Sequence, residues 1–188
     1  MRKPHERVID RALLVYLLHW AASQNFSLVS DVKLQQLVFL CALQMVGKGW
    51  RGFHYDFMRF AYGAFSKELD DDLLALRRKE CLENFDVLEK SQPIVSLIDA
   101  AIPGTEANEQ VMEILRSVIE TYGPQDLGEI TNSVEKVELS PADKPEQKLL
   151  IREISFHSIL LVPSRVEVTG EFTVSPATLV RLNALVGV

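Results

Sequence analysis

The sequence predicts a mainly α protein with a few short β-strands, an α+β fold in which a helical domain bears a small strand element and a β-rich C-terminal appendage. Three observations predict it. Apolar residues recur three and four apart in successive stretches that begin at capping residues and stop at glycine. Strict aromatic alternation occurs over only one short segment, Phe53, Tyr55 and Phe57. The run Ile159-Leu160-Leu161-Val162 and the pairs Val166, Val168 and Phe172, Val174 all fall beyond residue 150.

A first helix is predicted from about Pro4 to Ser23, because proline has no amide hydrogen to leave unpaired in a first turn. Val8, Ala12, Val15 and His19 form one row, with Ile9, Leu13, Tyr16 and Trp20 beside it. So wide an apolar band implies a central helix packed on several sides. Its start imitates a secretion signal, with Arg2, Lys3 and Arg7 before an apolar run and Ala21-Ala22-Ser23 after it. Glu6 and Asp10 interrupt the basic part, and the uncharged run from Ala12 to Asn25 is too short for a bilayer. A buried helix is therefore expected.

Ser30 or Asp31 can cap a second helix, with the stripe Leu34, Leu37, Val38, Cys41 and Met45 and the stops Gly47 and Gly49. A half-buried strand follows over Phe53–Met58, broken at Gly63. Ser66 caps a third helix whose buried row is Leu69, Leu73 and Leu76. Glu68, Asp70, Asp71 and Asp72 lie near its start and Arg77, Arg78 and Lys79 at its end, matching the helix dipole at both ends. Residues 82–98 read as one or two strands with Phe85, Val87 and Leu88 buried and Pro93 as the break. A helix from Glu106 to Tyr122 turns Val111, Leu115, Val118 and Tyr122 inward and ends at Gly123-Pro124; a short helical turn over Gln125–Thr131 follows. Ser140–Gln147 reads as a loop. Beyond it, a hairpin turning at Thr169-Gly170 and a last helix from Ser175-Pro176 through Leu179, Leu182 and Leu185 are expected. This divides the chain into a helical domain, 1–140, and an appendage, 141–188.

The 188 residues can bury a self-sufficient core, and 47% hydrophobic with 24% charged residues excludes a disordered chain. The net charge of −6 gives no electrostatic reason to hold nucleic acid or an anionic membrane. Charge is unevenly placed: residues 1–60 hold 8 Lys+Arg against 4 Asp+Glu, and residues 106–146 hold 3 against 10. Two cysteines make no disulfide framework and fit a reducing cytoplasm. Cys41 lies in an apolar stripe. Cys81 follows Arg77-Arg78-Lys79, a setting that lowers a thiol pKa if the thiol is exposed.

The chemistry-bearing residues are sparse. None of His5, His19, His54 and His157 has zinc-ligand spacing to another His or to Cys. His54 and Asp56, two apart on a presumed strand, would share a face and could bind a metal or relay a proton, although a solvated strand face explains them equally well. Asp70-Asp71-Asp72 point about 100° apart on a helix and cannot converge on one cation. Gly47-Lys48-Gly49 lacks the strand and the Lys-Ser/Thr pair of a phosphate loop, and no Gly-x-Ser-x-Gly elbow occurs. Neither a cofactor nor a catalytic residue is assigned.

The stretch Lys33-Leu34-Gln35-Gln36-Leu37-Val38-Phe39-Leu40, the turn Tyr62-Gly63-Ala64-Phe65-Ser66 and the row Leu69 through Leu76 together resemble the Panacea domain. That family comprises SocA-like antitoxins and phage-associated proteins, with the related YwgA-like proteins. Tyr122-Gly123-Pro124 and Leu127 to Thr131 resemble its second half, so the likeness spans about residues 8–132. Gln36 stands where the family has lysine, Ala64 where it has proline and Asn132 where it often has histidine. The resemblance makes Leu34, Gln36, Leu37, Phe39, Tyr62, Gly63, Phe65, Ser66 and Leu69 structural or partner-binding candidates, with Tyr62 and Phe65 expected to pack back on the second helix. It implies a cytoplasmic protein that neutralises a cognate toxin by occlusion, or tethers it to a protease or chaperone as an adaptor. The acidic 106–146 region would suit a basic partner, and the appendage would serve as a partner-specific element or as the strand pair of a homodimer. Two other readings stay open on the residues alone: a DNA-binding regulator resting on the basic balance of 1–60, and an enzyme or small-ligand protein using His54 and Asp56.

Overall fold

Two apolar helices organise the molecule. In the computed structural model, which describes residues 1–140 and 144–188, α1 (Pro4–Ser23) begins with proline in its first turn and runs through the middle of the core. Leu13, Leu14, Val15 and Leu17 are wholly buried although they point around the helix in all directions. The double row therefore behaves as the sequence predicts. Ser30 caps α2 (Asp31–Gly47), its hydroxyl accepting from the Val32 amide at 3.1 Å. The stripe Leu34, Leu37, Val38, Cys41 and Met45 is buried along α2.

Strand β1 (Trp50–Arg51) precedes an irregular stretch and then β2 (Phe57–Phe60), which turns over Ala61-Tyr62 into β3 (Gly63–Phe65). Phe53, Tyr55 and Phe57 are buried as their alternation predicts, but only Phe57 of the three lies in a strand. Gly63 opens β3 instead of breaking a strand. Paired with Phe60 and at φ +98°, it closes a two-residue turn. Ser66 caps α3 (Lys67–Arg78) through the Leu69 amide.

A small hairpin, β4 (Leu82–Glu83) with β5 (Asp86–Val87), leads to α4 (Gln92–Ala101). Here the expectation of strands broken at Pro93 is corrected: Pro93 sits in the first turn of a helix, where its missing amide costs nothing. Phe85, Val87 and Leu88 are only half-buried. Helix α5 (Glu106–Tyr122) has the predicted bounds, and α6 (Leu127–Glu135) extends the expected turn into a helix capped by Asp126.

Next come β6 (Glu138–Leu139) and β7 (Leu149–Leu150), paired antiparallel. The loop expected over 140–147 falls partly on 141–143, outside the described residues. The expected hairpin at Thr169-Gly170 does not form. Instead β8 (Ile159–Leu161) pairs antiparallel with β2, and β9 (Gly170–Glu171) pairs in parallel with β1. Both segments find partners in residues 50–60, and Phe172 is buried as β9 ends. Helix α7 (Pro176–Val186) then packs on α1 and α4, with Leu182 and Val186 wholly buried. Helix accounts for 58% of the chain against 12% strand, so the class is mainly α with short strands. No helix among the described residues is long and apolar enough to cross a membrane.

Candidate functional site

The nine motif residues divide by environment. Leu34, Leu37, Phe39 and Leu69 are core residues, at most 1% exposed. Gln36, Gly63 and Ser66 build the β3 turn. Tyr62 and Phe65 reach or approach the surface.

Two consecutive glutamines of α2 hold that turn. The Gln36 side chain accepts from the Ala64 amide at 3.0 Å and donates to the Ala64 carbonyl at 3.1 Å. Gln35 accepts from the Ser66 amide at 2.8 Å and donates to the Ser66 carbonyl at 2.9 Å. Each amide thus makes the two bonds that a neighbouring strand would make to alternate residues of an edge. Gly63 is required beside them, since a Cβ there would lie 2.5 Å from Gln36 Oε1.

At the tip, Tyr62 is 59% exposed and does not pack back on α2 as expected, because a two-residue turn leaves its side chains in solvent. Phe65 is half-buried and lies against Phe60, ring centroids 5.2 Å apart. Phe60 in turn meets the His157 ring at 5.7 Å; Ile159, exposed on β8, is paired with Met58, and the exposed Phe156 ring lies against the Arg59 guanidinium at 5.2 Å. Phe65, Phe60 and His157 thus form one run of rings on the outer face of the β3-β2-β8 sheet, with Tyr62 exposed at the turn. Between the start of α2 and the turn lies a slot of about 200 Å³, lined by Val32, Phe60, Tyr62 and Phe65 with Asp31 and Asp70. Phe60 and Ile159 carried no motif signal; only an apolar side chain at an outward strand position could have flagged them.

The interior holds a second constellation that the sequence did not reveal. Asp72 is 1% exposed and accepts from Arg2 at 2.7 Å, Arg11 Nε at 2.9 Å and Tyr55 at 3.0 Å. Asp10, wholly buried, accepts from Arg2 at 2.8 Å and from both the amide and Nδ1 of His54 at 2.9 Å. Arg11 continues to the Val186 carbonyl at 2.9 Å and to the Gly187 carbonyl. His54 Nε2 lies 3.6 Å from Glu171 and has no hydrogen-bond partner. Burial pushes the His54 imidazolium towards a lower pKa, but the hydrogen bond and charge of Asp10, with Glu6 and Glu171 further off, outweigh it and the net direction is upward. Spacing carried the missing signal: Asp72 falls three after Leu69 and four before Leu76, on the buried row itself.

This network corrects the pairing of His54 with Asp56. His54 is turned inward onto Asp10, while Asp56 is exposed and its amide donates to Glu68 at 3.3 Å. Half of the basic residues of 1–60 are turned to structural use: Arg2, Arg11, Arg51 and Arg59 are held in internal ion pairs and carbonyl contacts. The Lys33 ammonium is buried between the Ser27 and Gly123 carbonyls at 3.0 and 2.7 Å. Burial lowers its pKa, partly offset by Asp126 and Glu129. Cys81 is buried, its thiol donating to the Leu185 carbonyl, and is not the exposed thiol its basic neighbours allowed for. The acids Glu106, Glu109, Glu113 and Glu120 do face solvent along α5. Set against known proteins, the chain matches no family model, no curated protein and no solved structure.

Proposed function

We propose that this chain is a non-enzymatic protein-interaction module that holds a cognate basic protein, in the manner of the Panacea-type antitoxins it resembles. The observation that carries this reading is the set of exposed or half-buried apolar side chains Phe60, Tyr62, Phe65 and Ile159 on the motif turn and the strands of its sheet. Exposed aromatics on a rigid sheet are the usual anchors of an interface, since they bury large area at little entropic cost. The solvated acids of α5 add a field that draws a basic partner. Neutralisation would need only occlusion, or tethering to a protease, and no chemical step.

Co-expression with the product of each flanking reading frame, followed by affinity purification and a growth assay, tests this. A basic neighbour that is toxic alone, is silenced by this chain and co-purifies with it is the expected result. Absence of both toxicity and complex for every neighbour overturns the reading. Within a complex, replacing Tyr62 and Ile159 together by serine is expected to weaken binding about a hundredfold, taking each as an interface anchor worth ~1–2 kcal/mol.

A further inference from the structure

We infer that the slot between the start of α2 and the β2–β3 turn receives one long cationic side chain, an arginine or lysine of the partner; this deepens the interaction reading above and rests on it. A volume of about 200 Å³ admits one side chain and excludes a folded segment. Its walls are apolar, from Val32, Phe60, Tyr62 and Phe65. The two glutamine amides behind them are spent on the turn backbone. The charged groups in the lining are both carboxylates. Asp31 already takes Arg77 in two bonds of 2.9 and 3.1 Å. Asp70 has no ion pair or side-chain hydrogen bond among the described residues; Lys67, the cation whose charge it feels, is held by Asp71 at 2.7 Å.

An apolar stem with a cationic end satisfies both parts of such a site: the stem covers the walls while the head stays at the rim beside Asp70. The aromatic rings add attraction for the cation. An uncharged anchor would fill the walls equally well but would shield Asp70 from water without replacing its solvation. The same chemistry exists one step away, where Arg77 lies over the Phe85 ring at 5.1 Å while it holds Asp31.

Three acetylated, amidated pentapeptides, with arginine, citrulline or norleucine between glycine pairs, would be titrated at low salt into the ¹⁵N-labelled protein. The arginine peptide is expected to shift the amide signals of Val32, Tyr62, Gly63 and Asp70 saturably. Citrulline and norleucine are expected to bind at least about fivefold more weakly, and Asp70→Asn to remove that preference. Asp70 makes no side-chain bond that folding needs, so this variant keeps the native spectrum. Equal binding of the three peptides, shifts centred elsewhere, or no saturable shift overturns the inference. Where a neighbouring gene product forms a complex, Asp70→Asn and Tyr62→Ala are expected to weaken it. A complex indifferent to both refutes the slot and leaves the interaction reading standing. Failure of every neighbour to bind refutes the reading, while the peptide titration still decides the slot.

Discussion

Asp72 takes bonds from two guanidinium groups and a phenol where water scarcely reaches, so its value lies in what its loss would strand. Asp72→Ala leaves Arg2 and Arg11 buried without their shared counter-charge, and urea unfolding is expected to show a loss of ~3–5 kcal/mol. Asp71→Ala, one residue away, removes only an exposed pair with Lys67 and should stay within ~0.5 kcal/mol. His54 supplies a pH dependence of definite sign. Its folded-state pKa lies above 6.5, so protonated His54 on Asp10 stabilises the fold fully below that value and loses its effect as pH rises through the raised one. The urea midpoint is therefore expected to fall as pH rises above 6.5, and His54→Gln to flatten this part of the profile. A consecutive acid triplet is read most readily as helix-start charge, and for Asp70, in the first turn of α3, that reading is right. Asp72 differs only in phase with Leu69 and Leu76. A carboxylate on an apolar row becomes interpretable only once Arg2 and Arg11, distant in sequence, are brought to it.

At the scale of elements, α1, α2, α3 and α5 were legible because period, cap and stop agree within each segment. Ser30, Ser66 and Thr105 all accept first-turn amide bonds in their helices. Short strands were legible only in part. Two or three residues carry too little alternation to mark their bounds, and β8 and β9 are defined by partners about a hundred residues earlier. Of the candidate site, the turn was visible as a motif, whereas the apolar surface was not, since His157 and Ile159 reach β2 only through the pairing of β8. The Gln35–Gln36 brace on β3 predicts an asymmetric response. Gln36→Leu strands the Ala64 amide and carbonyl in the interior and is expected to cost ~2–3 kcal/mol. Gly63→Ala combines a positive φ with contact against Gln36 and should cost ~1–3 kcal/mol. Thermal melts of both variants, with the native fold verified by circular dichroism, would check these magnitudes.

Across the whole molecule, residues 144–188 are integrated with the rest of the chain. Their strands pair with β1 and β2, Leu182 and Val186 lie in the common core, and the Val186 and Gly187 carbonyls receive Arg11. One cooperative transition is therefore expected. Fluorescence of Trp20, on α1, and Trp50, on β1, should change in step with helical circular dichroism, and a separate early transition would contradict this. Deleting residues 176–188 should abolish that cooperative transition, because it opens one side of α1 and leaves Arg11 without its carbonyl acceptors. The contact between Arg11 and Val186, 175 positions apart, also has a temporal meaning. At 5–20 residues per second, the ribosome would finish α7 on the order of ten to thirty seconds after α1 emerges. Throughout that interval the central helix of the core lacks its last cover. A chain released before α7 is made is therefore expected to be cut faster by added protease than one that includes it.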